Sequence, residues 1–297
     1  MYQVVTRDQI KDFLNIEGAS QDSFLAGLAL RVSSYVENAI SRNVVARQVV
    51  EYPEAHRANR FFLRNFPVYQ IASIYIDSDR LFGADSLLES TEYSFDETGQ
   101  VTLISFNAAA IRANAIKATY TGGLSRFRVV SGQNDHIDIE HDSTDYEIQL
   151  TAGEYIAEDL ATEIATQLQE NVDGDFSCTY SHIDQRFKIK HSADTFALKW
   201  ANGANSYRSA GDLIGYAIDQ DDDDATEYAA DFQRNGAPHD LQLAALKIAY
   251  HLYDESKWKG ARQGVKLQSI NKNNLEFETD YPADAKRIIQ SYRGYSF

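Results

Sequence analysis

The sequence predicts an α+β protein: a helical core with a small antiparallel β-sheet, interrupted by an inserted small α+β domain. Three observations carry this. Charge is unevenly spread, since Ser125 to Tyr228 hold 22 Asp+Glu against 7 Lys+Arg, a net of −15, while the rest of the chain sums to −1. The flanks, residues 1–124 and 229–297, each offer an incomplete set of apolar faces, so they read as two pieces of one host domain with residues 125–228 as the insert. Apolar spacing also switches along the chain between the three-and-four rhythm of helices and the alternation of strands. A chain of 297 residues is long enough for about two domains that each bury a core.

Composition narrows the class further. Hydrophobic residues at 43% and aromatics at 12% are too many for a disordered chain. No run approaches the ~18 apolar residues of a membrane span. The opening MYQVVTRDQIKDFL has no basic segment followed by an apolar run, so no secretory signal is expected. A single cysteine, Cys178, excludes an intrachain disulfide and fits synthesis in a reducing cytosol. A pI near 4.8 argues against wrapping nucleic acid, which needs clustered Lys and Arg to release counterions.

The host begins with a short helix from Thr6 to Leu14, capped by Thr6 and ended by Gly18. Ser20 is placed as the cap of a longer helix, whose Phe24, Leu25, Leu28, Val32, Tyr35, Val36, Ala39 and Ile40 form one stripe. Burying about six such side chains is worth on the order of 10 kcal/mol, so this helix must dock on something. Six strands follow: Val44–Tyr52, Arg60–Leu63, Gln70–Asp77, Glu92–Asp96, Val101–Phe106 and Ala115–Thr121. In the third, Ile74 and Ile76 are expected to pack on the long helix. After the insert, Pro238 opens a helix to about Trp258. It carries two apolar stripes, Leu241, Ala245, Ile248, Leu252 and Leu243, Leu246, Ala249, Tyr250, Tyr253, and a helix apolar on two sides is sandwiched. The polar segment 259–274, with two glycines and a basic charge opposite to that of the insert, reads as a mobile loop. A last helix runs from Pro282 to Tyr292, with Ala285, Ile288 and Ile289 as its apolar edge.

The order of these segments resembles the head-to-tail connector, or adaptor, proteins of tailed bacteriophages. The resemblance is carried by FLNI, FLAGLALRVSSYVENAISRN, FFLRNFPVYQIASIYID, the strand end IKATYTGGL and the late helix DLQLAALKIAYHLYDESKW. It covers Thr6 to Leu124 and Pro238 to Tyr292. Where that family passes from its YTGG strand to the late helix within a few tens of residues, this chain has more than 100.

Within the insert, strands are expected at His136–Asp142, Asp145–Leu150, Phe176–Ser181, Arg186–His191 and Phe196–Trp200. A helix from Ile156 to Glu170 repeats Leu160, Ile164 and Leu168, and a helical turn holds Leu213 and Ile214. The stretches YEIQLTAGEYIAEDLATEIATQLQ, FSCTYSHIDQRFKIKH and SAGDLIGY are similar to small domains of phage tail and decoration proteins.

Candidate chemistry is sparse. His136, Asp138 and Glu140 share a strand face that could meet a divalent ion, but without a fourth ligand they read as a solvated face. Asp219 and Asp221 to Asp224 lack the spaced ligands and central glycine of a calcium-binding hand, and read as a repelling linker at the domain exit. Trp200 and Trp258 with nearby tyrosines could form a sugar platform, although edge packing is the simpler role. Cys178 reads as a small buried apolar group. G-x-S-x-G, H-E-x-x-H and G-x-x-x-x-G-K-[ST] are absent, so no enzymatic activity, cofactor or catalytic residue is expected.

The resemblance implies a structural virion protein made in the host cytoplasm and located at the neck. Its subunits form a dodecameric ring between the portal protein and a stopper or tail-completion protein, passing genomic DNA without reading its sequence and touching no membrane. The residues expected to make oligomer or portal contacts are Leu243, Leu246, Tyr250, Tyr253, Trp258, Lys259, Arg262, Lys266 and Lys272. The alternative is a glycan- or metal-binding decoration module carried on a virion scaffold.

Overall fold

The two N-terminal amphipathic segments fold as α1 (Arg7–Leu14) and α2 (Asp22–Ile40). Lys11 Nζ donates to the Gly18 carbonyl at 2.7 Å and to Asp22 at 2.8 Å, and Arg7 reaches the same carboxylate at 3.2 Å. A carboxylate in the first turn suits the positive end of α2, and the two cations hold it there. The long helix thus starts later than expected from Ser20: Gln21 precedes it without a side-chain cap bond. The structure is a computed structural model describing residues 2–56, 59–104, 114–172, 174–257, 265–268, 275–277 and 281–293. It divides into two units, Arg7–Leu124 with Pro238–Phe297, and Met1–Thr6 with Ser125–Ala237.

In the first unit, α2 packs against α5 (His239–Lys257) and α6 (Ala283–Ser291), and α1 packs against α2 and α5. Buried Leu25, Val32 and Val36 of α2, Leu241 and Ile248 of α5, and Ile289 of α6 supply the apolar faces. Tyr292 donates its hydroxyl to Asp240 Oδ1 at 2.8 Å, tying the end of α6 to the start of α5. Burial first, and then that carboxylate, push the phenol up to about 12.

The strands that follow α2 in this unit, up to Leu124, form two small sheets where one was expected. The first holds β1 (Arg47–Glu51), β4 (Val68–Ile76) and β7 (Ile116–Gly122) in the order β1-β7-β4. The second holds β2 (Ala55–His56), β3 (Arg60–Phe62), β5 (Tyr93–Phe95) and β6 (Gln100–Leu103) in the order β2-β3-β6-β5. All pairings are antiparallel. Phe61, Ile74, Val101, Leu103, Ile116 and Tyr120 share one core. Ile74 therefore packs among strand residues of the two sheets, where the sequence pattern suggested the long helix. The inward-facing residues of β3 and β6 provide the apolar layer that the alternation of β4 requires.

The YTGG strand end has a packing cause. Tyr120 is fully buried; its hydroxyl donates to Glu51 Oε2 at 2.6 Å and accepts from Asn65 N and Nδ2, both at 3.1 Å. A Cβ at Gly122 would stand 2.0 Å from the Asn65 carbonyl oxygen, and one at Gly123 2.6 Å from Ala46 Cα. Only glycines let the Asn65 turn and the start of β1 close over the end of β7.

In the second unit, β8 (Phe127–Val129) pairs with β11 (Gly153–Tyr155). A four-stranded sheet has the order β10-β9-β14-β15, from β9 (His136–His141), β10 (Thr144–Gln149), β14 (Phe196–Leu198) and β15 (Asp222–Ala225). A three-stranded sheet, β12-β13-β16, is built from β12 (Phe176–Ser181), β13 (Arg186–His191) and β16 (Glu227–Ala229). α3 (Ala157–Asn171) buries Leu160, Ile164 and Leu168 into the unit's core, beside Phe176, Phe187 and Trp200.

This unit extends past both ends of the acidic segment. Ala230 N donates to Phe187 O at 2.8 Å, and Arg234 N to Gln185 O at 2.7 Å. Asn235 Nδ2 donates to Val4 O at 2.9 Å, and Gln185 Nε2 to Gln3 O at 2.7 Å. Charge ends at the last acidic cluster, but backbone groups need partners wherever the chain is buried, which draws in both Ala230–Ala237 and the N-terminus. Among the described residues, no helix is long and apolar enough to cross a membrane.

Candidate functional site

The sequence places its contact residues on α5 and the segment beyond it. Leu241, Ala245 and Ile248 of the first stripe of α5 are buried, and Leu252 is half-buried. The second stripe divides. Ala249 and Tyr253 are buried, Leu246 is half-buried, and Leu243 and Tyr250 remain 41% and 54% exposed. Leu243, Leu246 and Tyr250 stand three and seven apart, so they share one helical face. Tyr253 continues that row and its ring lies 6.2 Å from that of Phe24 on α2, itself half exposed. Within its own unit, α5 is therefore covered on one side and open along an apolar row on the other. Lys247, in ion contact with Asp284, flanks the row.

Trp258, Lys259, Arg262 and Lys272 lie outside the described residues. Lys266 lies on β17 (Val265–Gln268), which pairs antiparallel with β18 (Leu275–Phe277). The expected loop over 259–274 thus contains a strand. V-K-L-Q and L-E-F each alternate, a period that the glycines and polar residues around them obscured.

A polar cleft of about 380 Å³ opens beside the C-terminal end of α2, lined by Glu37, Arg42, Arg47, Arg64 and Asn65 among others. Glu37 holds Arg47 through both carboxylate oxygens, at 2.8 and 2.9 Å, and accepts the Val44 N–H at 3.0 Å. The Arg42 guanidinium lies 4.2 Å from the centre of the Phe66 ring and donates to the Tyr292 carbonyl at 2.7 Å. Burial lowers its affinity for a proton. Arg42 and Arg47 donate to internal acceptors.

In the second unit several acidic residues act as internal acceptors. His136 and Asp138 are buried, which corrects the solvated strand face. Each of the three residues on that face has its own partner: His136 Nδ1 lies 2.9 Å from Asp135, Asp138 accepts from Asn205 N at 2.5 Å and Nδ2 at 2.9 Å, and Glu140 pairs with Lys199 at 2.6 Å. They do not converge on a common point. Asp135 is fully buried, and its Oδ2 accepts the Gly132 N–H at 2.9 Å and Gln149 Nε2 at 3.1 Å. Burial alone would raise its pKa; the donors on both oxygens outweigh that and hold the carboxyl at about 2.

The aspartate run is likewise no linker, since Asp222–Ala225 forms β15 against β14. Asp221 accepts from Ala201 N at 2.7 Å, Asn202 N at 3.1 Å and Asn202 Nδ2 at 2.8 Å, and Asp222 accepts from Trp200 Nε1 at 3.0 Å. Desolvation raises the Asp222 pKa, a shift that its acidic neighbours Asp231, Asp223 and Asp221 reinforce. Trp200 is 1% exposed, so it offers no platform to a sugar. Cys178 is buried, and desolvation pushes its thiol up to about 12, so it packs as an unreactive group. One cluster has no counterpart in the sequence pattern: His141 stands together with His191 and Asp194, 50 and 53 residues further along the chain.

Residues 3–141 match the head completion protein family, in agreement with the connector resemblance carried by the long helix and the YTGG strand end. The match spans α1 to β7 and continues through β9 of the second unit. The match is consistent with a structural phage protein of the head–tail region. No curated protein matches the chain.

Proposed function

We propose that this chain is a head-to-tail connector subunit that assembles as a dodecameric ring at the neck, between the portal protein and a stopper or tail-completion protein. The observation that carries the reading is the head completion match over residues 3–141. The open apolar row of α5 supports self-association, because a ring needs a face that a monomer leaves uncovered. Contacts through Leu243, Leu246 and Tyr250, continued by Tyr253, bury that row against a neighbouring copy. Trp258, Lys259, Arg262, Lys266 and Lys272 then engage the portal or the adjacent subunit, their basic charge complementing acidic surfaces. Net charge of −16 lets genomic DNA pass without adhering. The role requires no catalytic residue.

Light scattering coupled to gel filtration tests this. The parent chain should form closed oligomers, and Leu243→Asp with Tyr250→Asp should yield folded monomers that fail to support tail attachment. Oligomers of unchanged size in the double variant would refute the assigned face.

A further inference from the structure

We propose that His141, His191 and Asp194 bind one divalent transition-metal ion of the zinc class, independently of the ring reading. His141 closes β9, His191 closes β13, and Asp194 stands in the turn that leads to β14, so the three belong to the ends of two different sheets. One ligand atom from each lies within 4.8 Å of the others.

His141 carries the argument. It is 4% exposed, and neither of its ring nitrogens has a hydrogen-bond partner among the described residues. A neutral imidazole has one N–H and one lone pair to satisfy, and buried polar groups left without partners are rare enough to demand an explanation such as an ion. Its ring is fixed by aromatic contacts: the His141 and His191 centroids are 4.8 Å apart, and Phe176 lies 5.5 Å from the first and 4.7 Å from the second.

His191 is held by the backbone, with Asp194 N 2.7 Å from Nδ1 and Asp175 N 3.2 Å from Nε2. A neutral ring accepts at only one nitrogen, so one of these N–H groups faces a poor partner. A ligating histidine gives the metal one lone pair and donates the N–H of its other nitrogen to an acceptor, and the Asp194 carbonyl oxygen lies 3.2 Å from Nδ1. Gly174 keeps the space beside the rings open: a Cβ there would stand 2.5 Å from His191 Nε2 and 3.5 Å from His141 Cε1.

On a tetrahedral ion with bonds of about 2.0–2.1 Å, ligand atoms stand about 3.4 Å apart, so binding draws the three inward. Asp194 moves farthest, since its side chain is 63% exposed. Two histidines, a carboxylate and a water complete four-coordination, and two imidazoles favour zinc-class ions over calcium or magnesium. The bound ion joins β9 to β13.

The test uses the full chain, stripped with a chelator and titrated with Co2+ and then Zn2+. Expected are d–d absorption of a tetrahedral Co2+ site, its loss when Zn2+ is added, and one zinc retained per chain after gel filtration. Asp194→Asn should weaken binding about tenfold or more, and His141→Gln more strongly. Because His141 is buried, circular dichroism accompanies that variant, and Asp194→Asn, on an exposed side chain, carries the test if His141→Gln does not fold. A parent chain that neither gives the cobalt spectrum nor retains zinc overturns the proposal. So does binding that is undiminished in Asp194→Asn.

Discussion

Replacing Asp135 with Asn should make the second unit less stable at neutral pH and less sensitive to acid. The parent carboxyl sits at about 2 in the folded chain against an ordinary 3.8. A depressed folded value means stability that is fully present above 3.8 and is lost as pH falls through 3.8 toward 2. The gap corresponds to about 2 kcal/mol, at 1.36 kcal/mol per pKa unit. Asn keeps the shape but not the charge: its single oxygen cannot accept from both Gly132 N and His136, and its NH2 confronts one of those donors. Urea unfolding followed by Trp200 fluorescence, in a Trp258→Phe background, reports on this unit because Trp200 is buried in its core. Unfolding free energies measured from pH 7 to pH 2 should differ by about 2 kcal/mol between parent and Asp135→Asn at neutral pH, and the two curves should converge below pH 3. Parallel curves, with the same fall in acid for both proteins, would refute the assignment of acid sensitivity to this carboxylate.

Two further substitutions probe the two units separately. Gly122→Ala places a Cβ 2.0 Å from the Asn65 carbonyl, a backbone atom that cannot swing aside; thermal unfolding of the first unit should show a loss of about 2 kcal/mol or more, and an unchanged midpoint would contradict the close approach. Ile164→Ala removes a fully buried branched side chain from the inner face of α3; a cost of about 2–5 kcal/mol is expected in urea titration of the second unit, and a cost under about 0.5 kcal/mol would mean that the helix is not docked as described.

Elements with a strong period were legible in the sequence. β12 and β13 were read to the residue, because FSCTYS and RFKIKH alternate cleanly between turn residues. Leu160, Ile164 and Leu168 marked the buried face of α3 for the same reason. Strands too short to show a period, β8, β11, β15 and β16, went unread. β15 was hidden further because four consecutive aspartates look like a solvated run, whereas in the structure Asp221 and Asp222 accept hydrogen bonds from Ala201, Asn202 and Trp200. The open row of α5 was half legible: two apolar stripes were visible, but which one stays uncovered depends on where α2 and α6 dock. His141 gives no local signal toward His191 and Asp194, since it reaches them only when the ends of β9 and β13 meet.

The connector reading is tested most directly by a density map of the intact virion's neck. The account predicts a closed ring of this chain between portal and tail, with Leu243 and Tyr250 of α5 buried against the adjacent copy. A map in which the chain is missing from that junction, or sits there with the α5 row facing solvent, would contradict it.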